Sequence, residues 1–206
     1  QQEPQYDTVS HLPSPRIHAF KVINADATDL YAAINDSAKT ITLYLPAYHM
    51  LSFLEVDIQL PEGTSISPKQ EELLPVFSDS PFQYSLTDKD GNTAAYTVDI
   101  RIQQEDFLLE ELSTAEKTLK ISKTGSIEVY GKNFIPDLAV SKGYLVDQEG
   151  KLVYPLKSQM YSPQSTSLSW WLHASQDTSL KPNTDYWVKI VSYSRTHTMK
   201  YPIQIY

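Results

Sequence analysis

The feature that most constrains this chain is a two-residue hydrophobic rhythm that recurs in short runs, each closed off by turn-forming residues. In Lys39-Thr-Ile-Thr-Leu-Tyr-Leu45, Ile41, Leu43 and Leu45 share one face, while Thr40, Thr42 and Tyr44 share the other. Successive strand side chains point to opposite faces, so this is the signature of a strand buried on one side. The same alternation runs through Phe53 to Gln59, Phe82 to Leu86 and Tyr96 to Ile100, each bounded by Pro, Gly, Asp or Ser. Short, closely spaced strands joined by turns are the pattern of an antiparallel sandwich. Composition agrees, with 13 Pro, 14 Tyr and only 6 Gly in 206 residues. The expected fold class is all-β: two tandem Ig-like antiparallel β-sandwich domains.

The second half continues in the same manner. Thr118 to Ser122, Ser126 to Tyr130, Tyr144 to Asp147, Leu152 to Tyr154, Ser167 to Leu172, Asp185 to Tyr193 and Tyr201 to Tyr206 all read as strands. Asp106 to Leu112 could form a short helix by composition, but a domain-opening strand suits its neighbours better. Charge also changes at mid-chain. Residues 1–102 carry 6 basic and 14 acidic side chains, whereas the remainder carries 11 of each, so the net charge of −8 belongs to the first half. The expected division is a flexible leader over 1–15, one sandwich over 16–103 and a second over 104–206. The leader holds Pro4, Pro13 and Pro15 with no apolar period, and the chain begins at Gln1 rather than Met. That start suits a mature chain freed of its signal peptide, or equally a cleaved fragment.

Several chemistries are excluded or disfavoured. With no cysteine there is no disulfide, thiol catalysis or zinc–thiolate site. Neither half has the basic stripe that phosphate neutralisation requires, so no nucleic acid partner is expected. No apolar run approaches the roughly 18 residues of a membrane-spanning helix. There is no Gly-x-Ser-x-Gly elbow, phosphate loop or His-Glu-x-x-His helix. His11, His18, His49, His173 and His197 are scattered, with no pair at ligand spacing. The pairs Glu71-Glu72 and Glu110-Glu111 could serve a glycosidase, but adjacent strand residues face opposite ways and read as solvated surface. No catalytic residue, metal or cofactor is expected. Thr87-Asp-Lys-Asp-Gly-Asn92 has oxygens at Asp88, Asp90 and Asn92 at the spacing that opens a calcium loop. The closing Glu is missing, however, and Asp-Gly-Asn reads as a hairpin turn.

The aromatic residues carry the functional signal. Trp170, Trp171 and Trp187, with eight of the fourteen tyrosines, lie in the second half. Counting by two buries Leu168, Trp170 and Leu172 and leaves Trp171 outside with Ser169. It likewise buries Tyr186, Val188 and Ile190, and turns Trp187, Lys189, Val191 and Tyr193 outward. Exposed aromatic rings serve as platforms for sugars, as anchors for protein partners, or as cover for a sheet edge. The candidate glycan or interface contacts are Trp171, Trp187, Tyr193 and Tyr154.

Two stretches resemble known families. Ile17-x-x-Phe20, Leu45-Pro46, Leu60-Pro-Glu-Gly-Thr-Ser-Ile-Ser-Pro68, Ser80-Pro-Phe-Gln-Tyr84 and Asp90-Gly-Asn-x-x-x-Tyr96-Thr-Val98 occur in the order seen in cadherin-like or Ig-like domains of Bacteroidetes surface lipoproteins. Ser126-Ile-Glu-Val-Tyr-Gly-Lys-Asn-Phe134 and Leu180-Lys-Pro-Asn-Thr-Asp-Tyr-Trp-Val-Lys-Ile190 resemble an IPT/TIG domain, with Asn183 in place of the family's turn Gly. Ser122-Lys-Thr-Gly125 is a poor match to that family's opening strands. The resemblance implies a tyrosine corner at Tyr186 and a non-enzymatic protein, exported to the outer membrane, cell surface or periplasm. Its membrane attachment would be a lipid anchor outside this sequence. It also implies either glycan binding in a polysaccharide-uptake assembly or adhesive and spacer contacts with other surface proteins.

Overall fold

Burial follows the alternating sequence strand by strand. In the computed structural model, which describes residues 15–25, 29–49 and 51–206, Ile41, Leu43 and Leu45 are buried while Tyr44 between them is exposed. The expected leader lies outside the described residues except for Pro15. The chain divides into two compact units, one of residues up to 45 and 51–102, the other of 103–206 with the 46–49 segment.

The first unit contains β1 (Ala19–Val22), β2 (Leu30–Tyr31), β3 (Ala33–Asn35), β4 (Thr40–Pro46), β5 (Phe53–Leu54), β6 (Val56–Gln59), β7 (Ser65–Ser67), β8 (Leu74–Pro75), β9 (Phe82–Thr87) and β10 (Thr93–Gln103). One sheet runs β2-β1-β6, a second β3-β4-β10-β9-β7, and β5 pairs with β8 alone. The alternating run from Phe53 to Gln59 is therefore two strands in different sheets. The break falls at Glu55, where the Asn24 side chain donates to the Phe53 carbonyl and accepts from the Glu55 N–H, both at 3.0 Å. The β9–β10 hairpin forms as expected. Asp88 accepts from the N–H groups of Asp90 and Asn92 at 2.9 and 2.8 Å and from the Asn92 amide at 2.9 Å. Gly91 takes the positive φ of 82° that the turn demands.

The core of this unit is rich in buried aromatics. Phe20 and Phe82 set their rings edge-on to Tyr84 at 6.1 and 5.1 Å. The Tyr84 hydroxyl is buried with no hydrogen-bond partner, and its pKa is pushed up to about 12, first by burial and then by the charge of Glu72. Tyr96, also buried, donates to Asp36 at 2.5 Å and accepts from Lys39 Nζ at 3.2 Å. Burial, and then the donation to Asp36, raise its pKa.

The second unit contains β11 (Leu108–Leu109), β12 (Lys120–Ile121), β13 (Ser126–Lys132), β14 (Ser141–Val146), β15 (Leu152–Leu156), β16 (Ser158–Gln159), β17 (Ser167–Trp171), β18 (Thr184–Ser192), β19 (Arg195–Thr198) and β20 (Ile203–Ile205). One sheet runs β11-β13-β17-β16. The other runs β12-β20-β18-β14-β15, with β19 also on β18. Pairing is antiparallel except for β12 with β20. Ile127, Val129, Leu168 and Trp170 of the first sheet share one core with Leu145, Val188, Ile190, Ile203 and Ile205 of the second. Each such side chain stabilises the fold by roughly 1.5–3 kcal/mol.

Gly131 and Gly143 are set by close approach. A Cβ on Gly143 would lie 2.9 Å from both the neighbouring Leu156 side chain on β15 and the Trp170 side chain across the sandwich, and one on Gly131 would fall on the Leu108 carbonyl oxygen and the Phe134 ring. Tyr186 makes the corner: its hydroxyl accepts from the Lys181 N–H at 2.7 Å, and Asn183 between them holds a φ of 53°. Both units are Ig-like β-sandwiches.

Among the elements that differ from expectation, two stand out in the second unit. The Asp106 to Leu112 strand shrinks to the two residues of β11, because Gly131 on β13 admits a close backbone only there. Arg195 to Thr198 forms β19 although all four residues are exposed and no apolar alternation announces it. It is recruited by the hairpin at Tyr193-Ser194, where Tyr193 adopts a φ of 51°.

Candidate functional site

The outer face of the β11-β13-β17-β16 sheet is built from three strand rows. Across β16, β17 and β13, Ser158, Trp171 and Ser126 stand side by side; in the next row Ser169 faces Glu128; in the third Ser167 faces Tyr130. Rows on one face lie two residues apart, about 7 Å, so Trp171 and Tyr130 are separated by about 13 Å along the strands. At the end of β17 the alternation holds: Trp170 is 3% exposed and Trp171 40%. Small serines between large rings leave the ring faces standing clear of the sheet.

Ser169, expected outside, is 4% exposed, because the loop after β16 folds over it. The Tyr161 N–H donates to the Ser169 hydroxyl at 3.1 Å and the Met160 N–H to the Ser169 carbonyl. That loop carries Tyr161, 64% exposed, past the row of Ser169. Tyr161 lies close enough to Tyr130 to act on its ionisation. At the far end the His173 ring lies 6.3 Å from Trp171, tilted by 32°. His173 has a φ of 43°, and its position is held by the flanking bonds from Leu172 N–H to Gly125 and from Ala174 N–H to Lys123. The result is an aromatic strip: His173, Trp171, Tyr161, Tyr130.

The electrostatics of the strip are acidic at the Tyr130 end. Tyr130 hydrogen-bonds to Glu128, and that bond, partial desolvation and the charges of Glu128 and Glu110 hold its phenol above the usual value. Glu110 is brought there by its N–H, which donates to the Tyr130 carbonyl. Among the described residues no cation lies over a ring of the strip, whereas Lys200 lies 5.0 Å from the Tyr201 ring elsewhere in the unit.

The four residues singled out by sequence do not converge. Trp171 lies on this strip. Trp187 is half-buried on the outer face of the other sheet, opposite Val146, with its indole N–H donating to the Lys200 carbonyl at 3.3 Å. Counting by two finds the outward side of a strand but not the sheet to which the strand belongs. Tyr193 sits half-buried in the β18–β19 turn, its N–H donating to the Val140 carbonyl. Tyr154 points inward, opposite the buried Leu145, and its hydroxyl donates to the Leu172 carbonyl at 2.5 Å, tying β15 to the end of β17. Burial, then the charge of Asp177, raises its pKa. Tyr130 and Tyr161 were not singled out. Tyr130 has the outward parity that would have found it; Tyr161 lies in a Ser- and Pro-rich loop, outside any period.

Among the described residues, no group of three or more His, Asp or Glu side chains could hold a metal ion, and no helix is long and apolar enough to cross a membrane.

Residues 17–100 match the family model described as SGBP, N-terminal. The match covers the first unit and less than half of the 206-residue chain. No curated protein matches the chain. Among solved structures, a DUF4623 family protein from Bacteroides eggerthii is similar at 13% identity and a TM-score of 0.35. That likeness covers 89% of this chain, which spans 49% of the other's length. A protein from Bacteroides thetaiotaomicron, provisionally classed as a glycoside hydrolase, is similar at 12% identity and a TM-score of 0.37, covering 91% of this chain and 81% of its own. Murine CEACAM1b follows at 9% identity, a TM-score of 0.28, and 95% and 89% coverage. At these scores the likenesses say nothing about activity.

Proposed function

We propose that this chain is a non-catalytic, exported surface protein of a Bacteroidetes bacterium that binds glycan through the strip of Trp171, Tyr161 and Tyr130. The observation that carries the class is the match of residues 17–100 to SGBP, a surface glycan-binding family. The site is supported by the three open rings, 40%, 64% and 47% exposed, over a floor of serines. A sugar presents C–H groups on one face and hydroxyls around its rim. Flat rings accept the first, and Ser126, Ser158, Glu128 and the tyrosine hydroxyls can bond the second. A lipid anchor beyond this sequence, a place in a polysaccharide-uptake assembly and an IPT/TIG ancestry for the second unit belong to the same reading.

Affinity gel electrophoresis with a panel of plant and microbial polysaccharides tests it. The wild type should be retarded by at least one polymer and Trp171→Ala should run free in that gel. Equal retardation of wild type and Trp171→Ala would remove the strip as the site, and no retardation by any polymer would remove the function. A second reading, contact with other surface proteins, is favoured by the opposite face. There Trp187 and Tyr144 are half-exposed beside Lys142 and Lys189. Loss of an envelope partner on Trp187→Ala, with glycan binding intact, would support it.

A further inference from the structure

We infer that the strip selects neutral polysaccharide and rejects polymers of uronic acids; the inference rests on the glycan-binding reading above and specifies its ligand class. It stands on where the charges are. Glu128 occupies the middle row of the strip, directly opposite Ser169, with Trp171 about 7 Å to one side along the strands and Tyr130 the same distance to the other. A chain laid along the rings therefore passes beside this carboxylate, in the row that the loop carrying Tyr161 crosses at Ser169. Glu110 adds a second negative charge beside Tyr130. Lys132 is the nearest cation on β13, and it lies one row beyond Tyr130, opposite Leu108, past the end of the strip.

Two further facts point the same way. An acidic sugar is held by cations that form paired bonds to its carboxylate, a task for which Arg is the preferred side chain. Arg195, the second unit's only Arg, is already paired with Asp106 at 3.2 Å and lies on β19 of the other sheet. The second half carries 11 basic and 11 acidic side chains, so no net positive charge on this unit offsets the two carboxylates beside the rings. For a neutral chain the same carboxylate is an asset: Glu128 already accepts from one hydroxyl, that of Tyr130, and can accept from a sugar hydroxyl in the same way.

The experiment compares affinity gels of a neutral polymer set (xyloglucan, galactomannan, β-glucan) with polygalacturonate and alginate, for the full chain at low and at high salt. The wild type should be retarded only by neutral polymer at low salt. Glu128→Gln and the independent Glu110→Gln should each narrow the neutral-to-acidic affinity ratio, the first by about tenfold and the second by severalfold. Added salt should narrow the ratio for the wild type by screening the same charges. Wild-type retardation by polygalacturonate equal to or greater than by neutral polymer overturns the inference and leaves glycan binding standing. So does a ratio that neither substitution nor salt moves. Absence of retardation in every gel overturns the inference together with the reading beneath it.

Discussion

Both units expose aromatic rings, but they treat them differently. In the first unit Tyr31 and Tyr44 are 60% and 49% exposed, yet each ring has a cation of its own: Lys21 lies 5.7 Å from the Tyr31 centroid and Arg101 5.8 Å from that of Tyr44. Those cations are themselves fixed, Lys21 by Asp29 at 2.7 Å and Arg101 by Asp99 at 2.8 Å. In the second unit Trp171, Tyr161 and Tyr130 are as exposed and stand open. A ring face occupied by a guanidinium or ammonium group is not available to stack on a sugar. Exposure alone therefore does not identify a binding surface, and neither does one vacant ring, since Phe53 of the first unit is 53% exposed with no cation over it among the described residues; the second unit differs in grouping open rings on one sheet face. Tyr31 and Tyr44 of the first unit are capped rings, whereas Trp171, Tyr161 and Tyr130 of the second are not.

The comparison can be broken most severely through the backbone that supports the strip. Gly131→Ala forces a Cβ onto the Leu108 carbonyl, so β11 must leave β13, and the second unit should lose about 3 kcal/mol in urea unfolding. Gly91→Ala, where a Cβ meets nothing within 4 Å but φ is 82°, should cost only about 1 kcal/mol, in the first unit. Similar losses for the two would contradict the packing described for β11.

Alkali distinguishes the units next. The Tyr84 phenol is raised in the fold, so its proton stabilises the first unit fully below the unfolded value near 10, and that contribution is lost as pH rises from about 10 through about 12. The shift corresponds to about 2.7 kcal/mol. Tyr84→Phe should flatten that alkaline loss and, by removing a buried hydroxyl without a partner, leave stability at pH 7 unchanged or up to about 1 kcal/mol higher. A clear loss of stability at pH 7 would mean that the hydroxyl has a partner.

Smaller effects sharpen the contrast between capped and open rings. Tyr161→Ala should weaken glycan binding severalfold, on the order of 1 kcal/mol, with little change in melting temperature, since the side chain is 64% exposed. Arg101→Met should uncover the Tyr44 ring with little change in melting temperature and leave glycan affinity unaltered. A change in glycan affinity on Arg101→Met would place part of the site in the first unit.

Much of the scaffold was legible because the physics behind it is local. Period-two burial in β4, β13 and β18 and the Asp-Gly turn at Asp90-Gly91 follow from the nearest few residues, whereas the turn at Asn183 and the corner at Tyr186 were implied by the resemblance to an IPT/TIG domain. Of the proposed strip, only Trp171 was singled out by the sequence. Whether Trp171 and Trp187 share a surface depends on which sheet receives each strand, and pairings such as Ser126 with Trp171 are set by cores assembled from distant segments. Tyr161 acquires its position from one hydrogen bond to Ser169, and β19 from a hairpin, neither of which has a periodic signature.

The most direct test of the account is a calorimetric titration of the best-retarded polysaccharide into the wild type, Trp171→Ala and Tyr44→Ala. An open ring on the strip predicts that Trp171→Ala loses at least tenfold in affinity, about 1.4 kcal/mol, while Tyr44→Ala binds as the wild type does. Equal losses for both variants, or a loss confined to Tyr44→Ala, would contradict it.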